Sequence, residues 1–183
     1  LHWRQNQRYS GRNVLTLGIY AEVLHRWVGY ARTVAATMRT FVPERVEPET
    51  GRKARVEIPD SVGLTGELEC GAALAVAISG AVADAPQDTV EIFGDRGALI
   101  YNFGEDTIAQ ARRGQPWREM PIAPEQQRHW TVEDDFIRAV RAEAPEDREV
   151  HPDFHDGYKY MEFVEAVWMS HAQRRHVDLP LQM

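Results

Sequence analysis

The sequence predicts an α+β fold in which helices pack on one face of an open, mainly antiparallel β-sheet. Three observations predict this class. Residues 13–29 have the apolar spacing of a helix, residues 31–103 contain segments of strand character separated by turn residues, and residues 131–175 return to helical spacing. A helix, then strands joined by short turns, then two helices is the order typical of a layered α+β domain.

Composition and charge limit the domain organisation and the partners. The 183 residues are 43% hydrophobic and 27% charged, which is typical of a globular protein, and we predict one domain over residues 1–183. The 28 acidic residues outnumber the 21 lysines and arginines, giving a formal net charge of −7, and the basic residues form no continuous stripe. Because a nucleic-acid backbone is itself anionic, we predict no nucleic-acid partner.

Cysteine content and hydropathy bear on the compartment. The chain contains one cysteine, Cys70, which excludes an internal disulfide framework and fits a reducing cytoplasm. It has no run of about 18 apolar residues, so we predict no membrane span. The chain opens with LHWRQ rather than with a methionine, and we expect it to be a piece of a longer protein.

Residues 13–29 are predicted to form an amphipathic helix. The side chains predicted to face the core, which recur at helical spacing, are Leu17, Leu24, Trp27 and Val28. Tyr20 lies at the flank of that stripe, one turn after Thr16. The residues alone leave two interpretations of Tyr20 open: a core aromatic with a hydrogen-bonded hydroxyl, or a hydroxyl that takes part in chemistry.

The strands are predicted from residue type and alternation. Residues 31–41 are rich in threonine, valine and alanine and predict a strand, and the prolines of residues 42–52 predict a loop. In TGELECG, residues 65–71, the side chains alternate between apolar and polar, which predicts a strand with one solvated face.

A second strand, predicted after Gly71, has two different uncharged faces. One face carries large side chains, namely Leu74, Val76 and Ile78. The other carries small ones, namely Ala73, Ala75, Ala77 and Ser79. A flat row of small residues suits packing against another sheet, and we predict self-association of two copies through this face.

The remaining elements follow in order. Residues 89–103 predict a hairpin with its turn at Gly94–Gly97, and residues 106–122 continue the meander. Thr131, with Asp134 three residues later, predicts a capped helix, and Asp153 predicts the start of the last helix. A short terminal strand is predicted within HVDLPL, residues 176–181.

Four stretches together resemble the C-terminal domain of the Gfo/Idh/MocA family, named for glucose-fructose oxidoreductase, inositol dehydrogenase and rhizopine catabolism. They are WRQNQRYSGRNVLTLGIY at residues 3–20, VEIFGDRGALIY at 90–101, DDFIRAVR at 134–141 and GYKYMEFVEAVWMSHAQRRHVDLP at 157–180. The resemblance implies a two-domain oxidoreductase that uses NAD or NADP and acts on sugars, polyols and related compounds. The Rossmann cofactor domain, with its G-x-G-x-x-G turn, has no counterpart in these residues, so we expect this chain alone to be inactive.

The resemblance also assigns candidate site residues. It implies that Tyr20 is the catalytic proton donor or acceptor, and that Thr16 and Arg4 contact the substrate. Thr16 stands where the family usually has an aspartate, which leaves a second function open: a non-catalytic association or ligand-sensing module on the same scaffold. Arg4 also has a simpler interpretation as a surface ion pair. A third possibility is a binding domain unrelated to dehydrogenases.

The motif HPDFHD, residues 151–156, contains four side chains of types that bind metal ions. His151 and His155 have the i, i+4 spacing of helical metal ligands, with Asp153 and Asp156 nearby. Asp153 is already predicted to cap a helix, and the sequence shows no further ligand. No metal site is therefore predicted from the sequence.

Overall fold

The structure of the chain is a computed structural model that describes residues 2–84, 88–127, 129–144 and 148–182. The chain divides into two compact units, one formed by Leu1–Val82 with Val150–Met183 and the other by Ala83–Glu149. Among the described residues, no helix is both long and apolar enough to cross a lipid bilayer.

The first unit contains helices α1 (Gln7–Ser10), α2 (Leu17–Val28) and α4 (Phe154–Gln173) and strands β1 (Ala31–Arg39), β2 (Glu44–Val46), β3 (Lys53–Arg55), β4 (Ser61–Leu68), β5 (Ala73–Ser79) and β10 (Val177–Asp178). Four of these strands form an antiparallel sheet in the order β10-β1-β4-β5, and β2 pairs with β3. The predicted α+β class with antiparallel strands is confirmed.

The second unit contains strands β6 (Thr89–Phe93), β7 (Gly97–Asn102), β8 (Thr107–Arg112) and β9 (Arg118–Glu119) and helix α3 (Val132–Arg141). The strands form an antiparallel meander in chain order, so the predicted hairpin and its continuation are confirmed. Thr131 is the N-cap residue of α3 as predicted, but its side chain makes no capping bond. Instead its hydroxyl donates to Asp135 Oδ2 at 2.8 Å.

The core of the first unit lies on one face of its sheet. Helix α4 packs across β1, and α2 packs on α4. The core side chains include Val34 and Met38 from the sheet, Leu17 from α2, and Phe163 and Val167 from α4, each no more than 2% exposed. Burying a side chain of this size contributes about 2 kcal/mol, so this one-sided core is the main stabilising feature of the unit.

The other face of the same sheet is uncovered and built from small residues. Cross-strand pairing brings Ala35, Thr65 and Ala75 into one row, and Thr37, Gly63 and Ala77 into the next. All six are exposed. The predicted face of Ala73, Ala75, Ala77 and Ser79 is therefore one edge of a wider surface of small, uncharged side chains, which we call the outer sheet face.

The open edge of β1 beyond its short pairing with β10 is closed by side chains of α4. Ser170 Oγ accepts a hydrogen bond from Ala36 N at 2.9 Å and donates one to Arg175 O at 2.6 Å. His171 Nδ1 accepts a hydrogen bond from Met38 N at 3.2 Å. Because these bonds satisfy backbone donors that have no strand partner, they fix the end of α4 beside the sheet.

Candidate functional site

The turn before α2 has an unusual backbone. Leu15 and Thr16 have φ values of 48° and 59°, and neither is a glycine. Each such residue costs on the order of 1 kcal/mol or more and persists only where the surroundings hold it in place. Two in succession, immediately before the helix that carries Tyr20, mark this turn as a candidate functional feature.

Thr16 occupies the N-cap position of α2 without capping it. Its hydroxyl donates to Leu15 O at 2.6 Å, whereas the helix N-terminus is satisfied by Asn13, whose Oδ1 accepts from Gly18 N at 3.0 Å. The hydroxyl oxygen of Thr16 therefore keeps its acceptor capacity, because the capping task is carried by another side chain.

Tyr20 lies one turn into α2, half-buried at the flank of the helix. The buried side of α2 is formed by Leu17, Gly18, Ala21 and His25. Gly18 fits against α4, since a Cβ atom there would lie 3.3 Å from Tyr160 Cδ2. Tyr20 is about 100° from the middle of this buried side, so it borders the core without being enclosed by it.

Trp27 does not face the core, contrary to the prediction. Its side chain is 45% exposed and Ile19 is 57% exposed. With Tyr20 and Val23, which are half-buried, they form a second apolar face of α2. The helix has two apolar faces, and only the face on α4 is covered within this unit.

Arg4 lies in a short 3-10 turn, Trp3–Gln5, that contacts the Val14–Thr16 segment. Its guanidinium carbon stacks over the Trp3 ring, 4.1 Å from the ring centroid. The structure therefore brings the segment of Arg4 against the segment of Thr16, and Tyr20 follows one helical turn later. Trp3 is 50% exposed.

A cavity of about 100 Å³, which we call the His25 pocket, lies on the other side of α2 and is lined mainly by polar side chains. Its lining residues are Glu22, His25, Arg26, Tyr30, His151, Pro152 and Asp156. The sequence had indicated the motif at residues 151–156 but had not connected it with α2, because the two segments are more than 120 residues apart.

Hydrogen bonds organise the mouth of the His25 pocket around Asp156. Asp156 Oδ2 accepts from Asp153 N at 3.0 Å and lies 3.1 Å from His151 Nδ1, and Asp156 Oδ1 accepts from the Tyr30 hydroxyl at 3.3 Å. The backbone hydrogen bond from Asp153, followed by the one from His151, holds the pKa of Asp156 below its usual range. Burial, followed by the Asp156 carboxylate, raises the pKa of Tyr30.

His25 forms the floor of the pocket. It is 9% exposed, and neither ring nitrogen has a hydrogen-bond partner among the described residues. Its ring makes edge contacts with Tyr30 and Phe163, with centroids 5.3 and 5.4 Å apart. Burial, followed by the nearby Lys159 ammonium, lowers the pKa of His25 to about 4, so the imidazole is neutral at pH 7.

Comparison with protein families finds one match. The family described as the GFO/IDH/MocA C-terminal domain matches residues 1–100, which is more than half of the chain and includes Arg4, Thr16 and Tyr20. A search of curated proteins finds no match.

Three of the solved structures that share this fold are named as a dehydrogenase or as oxidoreductases. A levoglucosan dehydrogenase in complex with NADH and L-sorbose aligns with 98% of this chain and 54% of its own, at 24% identity and a TM-score of 0.82. An NAD-binding oxidoreductase from Klebsiella pneumoniae aligns with 100% of this chain and 55% of its own, at 17% identity and a TM-score of 0.81. An aldose-aldose oxidoreductase from Caulobacter crescentus, complexed with glycerol, aligns with 97% of this chain and 51% of its own, at 19% identity and a TM-score of 0.73. The chain spans about half the length of each.

Proposed function

We propose that this chain is the substrate-binding and association part of an oxidoreductase that uses NAD or NADP and acts on a sugar, a polyol or a related compound. The chain belongs to the GFO/IDH/MocA C-terminal domain family, and the proposal follows from that membership. The observation that carries this proposal is the turn at Leu15 and Thr16, where two non-glycine residues are held at positive φ directly before Tyr20. The proposal is supported by solved structures that share the fold and are about twice as long as this chain. One of them is a levoglucosan dehydrogenase in complex with NADH and L-sorbose.

The cofactor is assigned to the rest of the longer protein. This chain has no G-x-G-x-x-G turn after a strand, which is the usual cradle for a dinucleotide pyrophosphate. A bound nicotinamide supplies or accepts the hydride in reactions of this type. The residues of this chain would position the substrate and exchange the proton on its oxygen.

Tyr20 is proposed to exchange that proton. Its phenol is half-buried at the flank of α2, beside the uncovered apolar face that includes Ile19 and Trp27. When a carbinol is oxidised, the proton leaves the hydroxyl as the hydride leaves the carbon, so a proton acceptor must lie about 3 Å from that oxygen. Because a phenol normally has a pKa near 10, a cation from the cofactor part is required to favour the phenolate.

Thr16 and Arg4 are proposed to hold the substrate. The Thr16 hydroxyl, whose hydrogen is donated to Leu15 O, can accept a hydrogen bond from a sugar hydroxyl, but it cannot supply the negative charge of the aspartate usual in the family. The Arg4 guanidinium, whose carbon lies 4.1 Å from the centroid of the Trp3 ring, can donate hydrogen bonds to a hydroxyl pair or a carboxylate. This donor set favours a neutral or acidic polyhydroxy substrate.

The test is an assay of the full-length protein with NAD and NADP against a panel of sugars, polyols and sugar acids, followed by a Thr16→Val variant. Loss of one hydrogen bond to the substrate is expected to raise KM about 5-fold with little change in kcat, while Thr16→Ser stays near wild type. An unchanged KM in Thr16→Val removes Thr16 from the binding site. Binding of a panel compound without turnover by any would instead favour the ligand-sensing function.

We also propose that two copies associate through the outer sheet face. On the strand positions of this face the charged residues lie at opposite ends. Arg39 is opposite Ser61 in the strand register at one end, and Glu67, which also lies 3.4 Å from Arg32, is opposite Thr33 and Ala73 at the other. A twofold axis that is parallel to the sheet and perpendicular to the strands would place the Arg39 end of one copy over the Glu67 end of the other, so that opposite charges meet. The small residues between them would allow two sheets to approach closely.

An Ala75→Arg substitution is expected to abolish this association. Ala75 is exposed in the middle of the outer sheet face, where an arginine would hold the two sheets apart and bury an unpaired charge. Light scattering is expected to give a dimer or larger species for the wild type and half that mass for the variant. Gln7→Arg, which adds the same charge in α1, is the control and is expected to leave the mass unchanged. A wild-type mass independent of Ala75→Arg contradicts the proposal.

A further inference from the structure

Three side chains with the donor atoms of a metal site lie together at the His25 pocket: His151 and Asp156 line it, and Asp153 is their neighbour. The ligand atoms of His151, Asp153 and Asp156 all lie within 4.8 Å of one another. We propose that this pocket binds a divalent transition-metal ion such as Zn²⁺, with His151, Asp153 and Asp156 as ligands and the buried imidazole of His25 completing the coordination.

Acidic groups near one another are common on protein surfaces, so the proposal depends on His25. This imidazole is more than nine-tenths buried, lines the same cavity as His151 and Asp156, and has both ring nitrogens without a hydrogen-bond partner among the described residues. A buried polar atom without a partner costs about 1–3 kcal/mol, and such an atom in a stable core usually has an unseen partner. A metal ion in the cavity would be that partner.

The donor set suits a borderline metal. Two imidazoles with carboxylate oxygens are typical of Zn²⁺ and its neighbours, whereas Ca²⁺ and Mg²⁺ prefer sites made of oxygen alone. The cavity of about 100 Å³ is large enough for one ion with coordinated water. Because metal–ligand bonds of about 2.0–2.2 Å bring donor atoms to about 3.3 Å from one another, the ligand atoms of His151, Asp153 and Asp156 need only a modest closure from their spacing of up to 4.8 Å, and the His25 ring, which is outside that group, has to approach them.

The surroundings also supply the outer contacts that such a site requires. The Tyr30 hydroxyl donates to Asp156 Oδ1 at 3.3 Å, and the backbone nitrogen of Asp156 donates to Asp153 Oδ1 at 2.9 Å. These bonds orient both carboxylates. The capping task that Asp153 performs is therefore compatible with coordination, because each carboxylate oxygen has more than one lone pair.

The His25 pocket is distinct from the proposed substrate site. Along α2, His25 follows Tyr20 by five residues, which places the two side chains about 140° apart around the helix axis. Tyr20 borders the uncovered apolar face, whereas His25 faces α4. We therefore assign the metal a structural role, in which it ties the end of α2 to the start of α4.

The test is titration of the full-length protein, without an affinity tag, with Zn²⁺ and Co²⁺. One equivalent of Zn²⁺ is expected to bind with micromolar or better affinity and to raise Tm, and Co²⁺ is expected to give a visible absorption spectrum typical of nitrogen and oxygen ligands. His25→Gln and His151→Ala are each expected to weaken Zn²⁺ binding at least about 10-fold.

His155→Ala is the matched control. His155 is an exposed histidine in the same segment but outside the group of converging ligand atoms, so its removal is expected to leave Zn²⁺ affinity unchanged. If His25→Gln does not fold, Asp156→Asn, which preserves the shape of the capping side chain, is expected to weaken binding as well. Absence of Zn²⁺ binding by the wild type, or the same affinity in both ligand variants, overturns the proposal. Equal loss in His155→Ala would indicate an adventitious surface site only.

Discussion

Replacing Tyr20 with phenylalanine in the full-length protein is expected to lower kcat about 100-fold, because proton transfer by a positioned side chain contributes about that factor. The substitution removes only the hydroxyl. The ring remains at the flank of α2, so the packing of the helix on α4 is preserved. KM for the substrate is expected to change by much less than kcat, since the missing interaction is one that strengthens in the transition state.

Steady-state kinetics with the best substrate of the panel measures this effect. Tyr9→Phe is the matched control: Tyr9 is a phenol on α1 that is 67% exposed, and its loss is expected to leave kcat unchanged. A structural role of the Tyr20 hydroxyl would lower Tm without a selective loss of kcat. Unchanged turnover in Tyr20→Phe removes Tyr20 from the mechanism.

Gly66→Ala is expected to destabilise the first unit by about 3 kcal/mol or more, because the added methyl group collides with backbone. A Cβ atom at Gly66 would lie 2.1 Å from Thr33 O. Strand β1 is irregular at this point, with a register shift between Ala31 and Thr33 against β4. The carbonyl that β1 turns towards β4 there cannot move without breaking the pairing of the two central strands.

Chemical unfolding in urea, followed by circular dichroism, checks this prediction, and Tm is expected to fall by about 10 °C. Gly63→Ala is the control on the same strand, where a Cβ atom would meet nothing within 4 Å. Because Gly63 lies in the outer sheet face, both glycine variants are compared in the Ala75→Arg background, in which association is removed. Because glycine is poorly suited to a strand interior, Gly63→Ala is expected to be as stable as the Ala75→Arg parent or more stable by up to about 1 kcal/mol. Equal stability of the Gly66 and Gly63 variants would contradict the proposed collision.

Residue periodicity predicted the strands of this protein well. In β6 and over most of β5, exposed and more buried side chains alternate and the neighbouring turns carry glycine, so the local pattern is sufficient there. The strand predicted at TGELECG was only partly right. Strand β4 begins earlier, at Ser61, and ends at Leu68, so Cys70 lies in the turn that follows. Strand ends depend on where the neighbouring strand stops, which a local pattern does not contain.

The candidate site was predicted in part. The position of Tyr20 at the flank of α2 follows from helical spacing, but the exposure of Trp27 does not. α2 has two apolar faces, and a periodic pattern cannot say which of them the rest of the chain covers. The left-handed backbone at Leu15 and Thr16 also has no local signal, because neither residue favours it and the surrounding packing maintains it.

By itself the sequence determined the α+β class, the order of the elements, the small and large faces of β5 and the family resemblance from which Tyr20, Thr16 and Arg4 are proposed as site residues. These properties depend on residue type and on spacing over a few neighbours. Only the tertiary structure decided the strand order β10-β1-β4-β5, the need for glycine at position 66 and the meeting of His25 with His151 and Asp156. Each of these joins segments distant in the chain, and the physical reason is that close packing, not local backbone preference, selects which segments meet.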